Sequence, residues 1–530
     1  MSEKTRDFLL YFIVIGLIFN KVPTVIRNDA LGGTIGDKLV FYPLFIGSIY
    51  IIYLLWRKKN FEDFYNDCKI FYQYIVVYVG FLVVSLAWGL IDYPYCDLIL
   101  NSSISQSKWL SQADFLLANN GIFVDKTVLL KIYMLIKPIK VLFLGVFYTF
   151  ISATVIFYLY QRDSKKVFSI LLQGTLCAVC IILLYSVIEL FYLGHVSVAG
   201  DILRTVNPCI HSIENDGTWW PPLLWGGQLR SVFAEPSYFG IYAAFAMPLL
   251  WYKLIETQMS LWKFFWGGTL IAFTFCLFLT KARTAVALFG GEVCLLFLAL
   301  VYFRNKAFLK KFIIIIACSL IAFVFANLFI INIMALKTES VAEATVDKGA
   351  EIYIKGAEIY ISDNLKSIKG KDNRSNRSRY SVMEADLQVG LEHPLLGVGT
   401  GLRDAYVGEK LVAMDNKSDE MKRWIQAQKE RGVMRAGIPV LGEYTSKFAE
   451  TGVVGLLIYL FPAGYLIFLI LKKIRRTSDI KIKEQAMFLL FSFLGTMAAG
   501  IGDNINITYC YWVLLGVGYA IYWPARVENE

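Results

Sequence analysis

Charge is scarce in this sequence. Only 18% of its 530 residues are Asp, Glu, Lys or Arg, against 57% hydrophobic and 15% aromatic, and mean hydropathy is +0.54. Such a chain cannot cover a soluble surface, and a bilayer is its implied solvent. Histidine is rarer still, at three residues: His195, His211 and His393. HExxH helices, nucleophile elbows, Walker loops and clusters of metal ligands are missing, so hydrolase and ATPase readings have no support and no metal or cofactor is expected. The nine cysteines do not change this. Cys177 and Cys180 have CxxC spacing but lie inside an apolar run with no second ligand pair, which argues against zinc. Cys96 and Cys209 fall in segments placed outside the membrane, where a disulfide is one reading and two unpaired thiols the preferred one. A cleavage site is also lacking: Met1 to Arg6 and the apolar Phe8 to Phe19 imitate a signal peptide, but no small-residue site follows, so the segment reads as a retained first span.

What the sequence has in quantity is apolar runs of roughly 20 residues. They fall near 7–26, 38–56, 71–91, 138–160, 167–193, 237–255, 264–281, 284–303, 312–334, 452–471, 486–502 and 507–523. With the N-terminus in the cytoplasm, the basic clusters at 57–59, 162–166, 304–311 and 472–483 all lie on the cytoplasmic side, as the positive-inside rule requires. The C-terminus is then cytoplasmic too, and the longer loops, 20–37, 92–137, 194–236 and 335–450, lie outside. The formal charge of +10 thus marks topology, and no nucleic-acid partner is expected.

The fold class is an all-α polytopic membrane protein of about twelve transmembrane helices, with a large, mostly helical periplasmic loop between helices 9 and 10. The division is 1–334 (nine spans and their loops), 335–450 (the external loop domain) and 451–530 (three spans). At Lys281–Ala282–Arg283 a tight hairpin and a re-entrant turn both fit. In the external segment, AEIYI occurs twice seven residues apart within 345–361, a helical pattern suited to lying against the membrane surface or the rest of the domain. Residues 367–379 read as a polar loop before a helix from Arg379 to Glu392, which His393–Pro394 and Gly397, Gly399 and Gly401 end in a tight bend.

Positive residues outside the cytoplasm run against the orientation rule and need a reason. Arg230 and Arg283 each sit beside a span, where an uncompensated charge costs a few kcal/mol, and Arg379 opens the external helix. Guanidinium groups grip two phosphate oxygens at once, so several on one cavity would suit a pyrophosphate; the bland alternative is snorkelling to lipid headgroups or local pairing. Arg403 and Tyr380 join them as candidate binding residues on the external segment. Glu235, before Pro236 at the mouth of a span, is a candidate general base or a partner of Arg230. Glu443 and Glu450 flank the start of the tenth span. Glu450 fits a carboxylate stabilising a helix N-terminus, and Glu443 remains a candidate catalytic residue. His393 is another, although its place before a proline suits a turn residue.

These residues fall in four pieces: RSVFAEPSYFG from Arg230, KART from Lys281, RYSVMEADLQVGLEHPLLGVGTG from Arg379, and EYTSKFAETGVVG from Glu443. Their order, spacing and topology resemble the O-antigen ligase and O-antigen polymerase superfamily of bacterial envelope glycan enzymes, over roughly residues 225 to 470.

The resemblance implies inverting transfer of a glycan from an undecaprenyl-pyrophosphate donor to an acceptor on the outer face of the bacterial cytoplasmic membrane, without nucleotide sugar or metal. It makes Arg230, Arg283 and Arg379 the binders of the pyrophosphate, whose charge grows as it leaves. The implied partners are the lipid-linked donor and acceptor, membrane lipids and a chain-length regulator protein. Ligases carry a histidine shortly before the tenth span, whereas PVLGEYTSKF has none, with Leu441 near the expected position and Glu443 as a substitute. That departure favours a polymerase of O-antigen, capsule or exopolysaccharide repeat units over a ligase acting on a lipid or protein acceptor. A transporter or lipid-linked oligosaccharide flippase is the reading from another class, but the chain shows no related halves and gathers its arginines at one side.

Overall fold

A computed structural model describes the chain except residues 1–2, 28–35, 59–60, 102–105, 162, 213–220, 305, 340–373, 416 and 524–530. The described residues are helical or irregular, without strands. In a bilayer this follows from backbone chemistry, since a spanning segment has no water to satisfy its N–H and C=O groups. The first half contains α1 (Glu3–Gly16), α2 (Phe41–Lys58), α3 (Phe61–Ile91), α4 (Cys96–Leu100), α5 (Gln106–Asn119), α6 (Lys126–Tyr160), α7 (Ser164–Leu193), α8 (Ser197–Ile210) and α9 (Pro236–Glu256). The second contains α10 (Ser260–Leu279), α11 (Arg283–Phe303), α12 (Lys306–Glu339), α13 (Arg374–Glu392), α14 (Arg403–Ala413), α15 (Asp419–Arg431), α16 (Glu443–Arg476), α17 (Ile480–Gly502) and α18 (Cys510–Tyr522).

Eight of these helices, α3, α7, α9, α10, α11, α12, α16 and α17, are long and apolar enough to cross a membrane, and α2, the Phe150–Tyr160 part of α6 and α18 are shorter apolar helices. The bundle has a basic end, where Arg6–Asp163 (2.8 Å), Lys166–Asp7 (2.9 Å) and Lys311–Glu484 (2.5 Å) join helix ends. The opposite, loop-bearing end carries residues 17–27, 36–40, 92–101, 106–125, 194–212, 221–235, 374–415, 417–442 and 503–509. α9 runs through the centre, buried along nearly its whole length, and packs against α7, α10, α11 and α17. A Cβ placed on Gly240 would lie 2.7 Å from the Ala285 Cα; this small-residue contact draws the head of α11 against α9. Ser492 Oγ donates to the Phe245 carbonyl (2.6 Å) and fixes α17 on the other side.

Several boundaries differ from the sequence reading. α6 begins at Lys126, where the Asp125 carboxylate accepts the Thr127 N–H (2.7 Å): a capping residue started the helix before its apolar run did. The stretch 194–236 contains α8. The external helix begins at Arg374 rather than Arg379, and α16 at Glu443 rather than 452. Lys281–Ala282–Arg283 is a tight hairpin, with Lys281 at φ +49° and Thr280 Oγ1 accepting the Ala282 N–H (3.1 Å). Cys96 and Cys209 are free thiols, the first buried and the second exposed. The AEIYI repeat lies outside the described residues.

α16 is broken at Gly452 (φ 64°, ψ −170°), which frees backbone groups at the loop-bearing end. The bend after α13 takes them up. Val453 N–H donates to the Pro394 carbonyl (2.8 Å), while Val398 and Gly399 N–H donate to the Ala449 (3.0 Å) and Glu450 (2.9 Å) carbonyls. Ser85 of α3 donates to the Leu396 carbonyl (2.8 Å). Glycine is required because backbone meets backbone: side chains at Gly397 and Gly452 would run into the main chain at Glu450–Thr451 and Leu395 respectively. The HPLLGVG bend is therefore a strap that completes a broken helix.

Candidate active site at the loop-bearing end

The turn after α17 organises the site. α17 ends at Gly502; Asp503 is extended, Ile507 N–H closes a turn on the Asn504 carbonyl (3.1 Å), and Asn506 N–H donates to Asn504 Oδ1 (2.8 Å). Trp512 Nε1 donates to Asn506 Oδ1 (2.6 Å), pinning the turn to α18. Arg379 of α13 reaches this turn and donates from one guanidinium nitrogen to the Gly502 carbonyl (2.6 Å) and the Asp503 carboxylate (3.0 Å). A cation at the C-terminal carbonyls of α17 is also favoured by the helix dipole. Burial works against the charge of Arg379, but Asp503 and then Glu235 outweigh it and hold its pKa above the ordinary arginine value.

Arg283 arrives from the other side, at the start of α11 just after the hairpin. It is half-buried and makes neither ion pair nor hydrogen bond among the described residues, yet it lies within electrostatic reach of Arg379 and Tyr380. Two guanidiniums held near one another repel unless an anion neutralises them. Glu235 forms the N-cap of α9 and accepts the Ser237 hydroxyl. It faces Arg379 and Tyr238, and Tyr238 in turn senses Asp503. Four of the residues singled out from sequence, Arg283, Arg379, Tyr380 and Glu235, are thus brought together. Asp503 and Tyr238 join them.

A second polar group lies beside it at the head of α16. Glu443 is buried, accepts the Tyr459 hydroxyl (3.1 Å), and faces the Ile505 amide of the same turn. Lys447 pairs with Glu450 (3.3 Å) and sits over the Tyr459 ring at 5.9 Å. The Glu450 carboxylate accepts the Gly401 N–H (3.2 Å), so it serves the strap while standing next to the N-terminus of the half-helix after Gly452.

Arg230 and Arg403 are each engaged by local partners. Arg230 is 1% exposed and donates to the carbonyls of Pro222 (2.9 Å), Leu223 (3.1 Å) and Ala234 (3.5 Å). Below it, the Glu189 carboxylate accepts the N–H groups of Arg230 (3.1 Å) and Ser231 (2.6 Å). Arg230 therefore braces the segment that delivers Glu235. Arg403 is clamped bidentately by Asp386 (2.5 and 2.9 Å) and also donates to the Ile438 carbonyl (3.0 Å), tying α14 to α13. His393 is exposed and packs edge-on against Tyr406 (5.6 Å), outside the arginine group.

Sequence reasoning missed Asp503, Tyr238 and Lys447. A lone acidic residue between two apolar runs was a visible signal for Asp503, and Lys447 was visible as the one cation between Glu443 and Glu450. Among the described residues no group of three or more His, Cys, Asp or Glu side chains is placed to hold a metal. What the arrangement can do is bind an anion between Arg283 and Arg379, with a carboxylate and a phenol beside it.

No curated protein matches the chain. Residues 268–430, from within α10 to within α15 and including Arg283, Arg379, Tyr380, His393 and Arg403, match the family model described as O-antigen ligase. That match supports, over this segment, the recognition of the O-antigen ligase and polymerase superfamily of membrane glycan enzymes.

Proposed function

We propose that the protein polymerises undecaprenyl-pyrophosphate-linked oligosaccharide repeat units on the outer face of the bacterial cytoplasmic membrane, with both termini in the cytoplasm. The observation that carries this reading is Arg283, a half-buried cation without an ion pair among the described residues, beside Arg379. Such a pair is matched to a pyrophosphate whose negative charge grows in the transition state. The acceptor hydroxyl attacks the donor's anomeric carbon from the face opposite the pyrophosphate, the carbon–oxygen bond to the pyrophosphate breaks, and that oxygen keeps the electron pair. The hydroxyl proton passes to Glu235, the carboxylate at the head of α9 that faces Arg379. Asp503 holds Arg379 in place for this. No metal or nucleotide sugar takes part.

Transfer of a finished glycan to a lipid or protein acceptor is the second reading, favoured by the description of the matching family model. Against it stands the lack of a histidine ahead of α16, where Leu441 and Glu443 are found. The surface-glycan profile of a deletion strain separates the two. Loss of a polymerase leaves one repeat unit attached to the acceptor, and loss of a ligase leaves the acceptor bare.

A further inference from the structure

The segment between α1 and α2 brings a further cation to the same turn. Lys38 donates from Nζ to the Asn506 carbonyl and lies over the Tyr509 ring at 4.4 Å. It has no ion pair among the described residues, because the neighbouring carboxylate, Asp37, is engaged by Lys21 and by Arg27 (3.8 Å). Tyr509 holds a left-handed conformation (φ 58°) with Phe41 edge-on at 4.4 Å, so the seat under the amine is strained backbone fixed by packing. Burial pushes the Lys38 amine down to about 7, with Lys21 adding to the fall and Asp37 opposing it. An anion at this position would restore the charge.

Further buried polar groups surround Lys21. Asn20 and Ser212 are each more than nine-tenths buried and make no side-chain hydrogen bond among the described residues, and the buried His211 ring faces the Lys21 backbone. They meet at Lys21, whose carbonyl accepts the Ser212 N–H (3.3 Å). Buried polar atoms of this kind can hydrogen-bond a polar molecule held beside Lys21. Three peptide steps separate Asn506 from Asp503, at most about 11 Å of chain. Lys38 and Arg379 therefore grip two places on one short turn.

We propose that Lys38 holds the phosphate of a second membrane-anchored substrate, the lipid-linked acceptor, while Arg283 and Arg379 hold the donor's pyrophosphate. This rests on the polymerase reading, in which both substrates end in a lipid pyrophosphate and two anionic headgroups must lie side by side at the membrane edge. The shared chemistry is a lipid-borne phosphate, which a bulk phospholipid headgroup also offers.

The test uses the full chain in nanodiscs of phosphatidylcholine, titrated with farnesyl pyrophosphate, and polymerisation rates with a labelled single-repeat acceptor at fixed donor. Wild type binds two farnesyl pyrophosphates per chain. Lys38→Met weakens one site and raises the KM for acceptor, each by roughly tenfold, as expected for one lost charge-assisted contact; kcat stays within about twofold, and Lys38→Arg recovers the acceptor KM. Arg283→Ala weakens the other site. Nanodiscs containing phosphatidylglycerol supply the second source: competition that abolishes the Lys38-dependent site, or an unchanged acceptor KM in Lys38→Met, assigns the lysine to bulk lipid and overturns the proposal. Failure of Arg283→Ala to affect pyrophosphate binding instead overturns the polymerase reading, so the two failures are distinguishable.

Discussion

Arg379 and Asp503 are joined at 3.0 Å although more than a hundred residues separate them, and the same guanidinium nitrogen reaches the Gly502 carbonyl at 2.6 Å. The helix entering from the loop segment is thereby fastened to the end of a core helix, with its arginine held facing Arg283. The carboxylate is 6% exposed and the guanidinium 27%. Replacing Asp503 by Ala leaves a partly buried arginine without its salt-bridge carboxylate, a change worth about 3 kcal/mol at most. Asp503→Ala should cut polymerisation about 100-fold or more, as for loss of one stabilising group in the transition state, and Asp503→Glu should recover part of it; repeat-unit incorporation by purified membranes measures both.

Arg283 and Arg230 should fail in different ways. Arg283 makes no ion pair or hydrogen bond among the described residues, so Arg283→Ala should shift stability by less than about 1 kcal/mol and remove long polymer with protein level unchanged. Arg230→Ala strands three carbonyls in the interior and should cost about 3 kcal/mol or more. Its loss of polymer should track a fall in folded protein, read by size-exclusion fluorescence of a tagged chain. The family resemblance implies the pyrophosphate for both arginines; the burial of Arg230 separates them.

Gly452→Ala should destabilise by about 2–4 kcal/mol, since it places a side chain in a glycine-only region of backbone space and against the Leu395–Leu396 main chain. Thermal unfolding in detergent is the measurement. Gly464, in the same helix with open space around it, is the control, and its alanine variant should differ from wild type by no more than about 1 kcal/mol.

Stability should fall in acid partly through His211. Burial, with Arg230 beside it, pushes the imidazole down to about 3, whereas the unfolded chain titrates near about 6.5. The folded state therefore keeps a neutral ring where the unfolded state binds a proton, and stability present above about 6.5 is lost as pH falls toward about 3. His211→Gln should flatten the pH dependence of the melting temperature over that window while leaving it unchanged above pH 7.

Much of the architecture was legible because apolar runs and basic clusters report membrane helices directly. The runs at 167–193, 237–255 and 284–303 fall on α7, α9 and α11 with small shifts. Starts set by a cap were not legible in the same way, as at Asp125. The break at Gly452 was not legible either, because its partner is a bend far away in the chain. In the site, Arg283 and Arg379 stood out as charges on the side where charge is unexpected. Arg230 and Arg403 stood out equally, and only their carbonyl and carboxylate partners distinguish a brace from an open cation. Asp503 was visible as a lone carboxylate between two spans, but its meaning lies in Arg379, which the sequence does not place beside it.

The central claim is that Arg283 and Arg379 together bind the leaving pyrophosphate of a polymerase. Its most direct measurement is the surface-glycan ladder of a deletion strain complemented with wild type, Arg283→Ala or Arg379→Ala at matched membrane levels. The account expects a full ladder from wild type and, from each variant, a single repeat unit on the acceptor with no longer bands. A normal ladder from either variant, or bare acceptor in place of the single repeat unit, would contradict it.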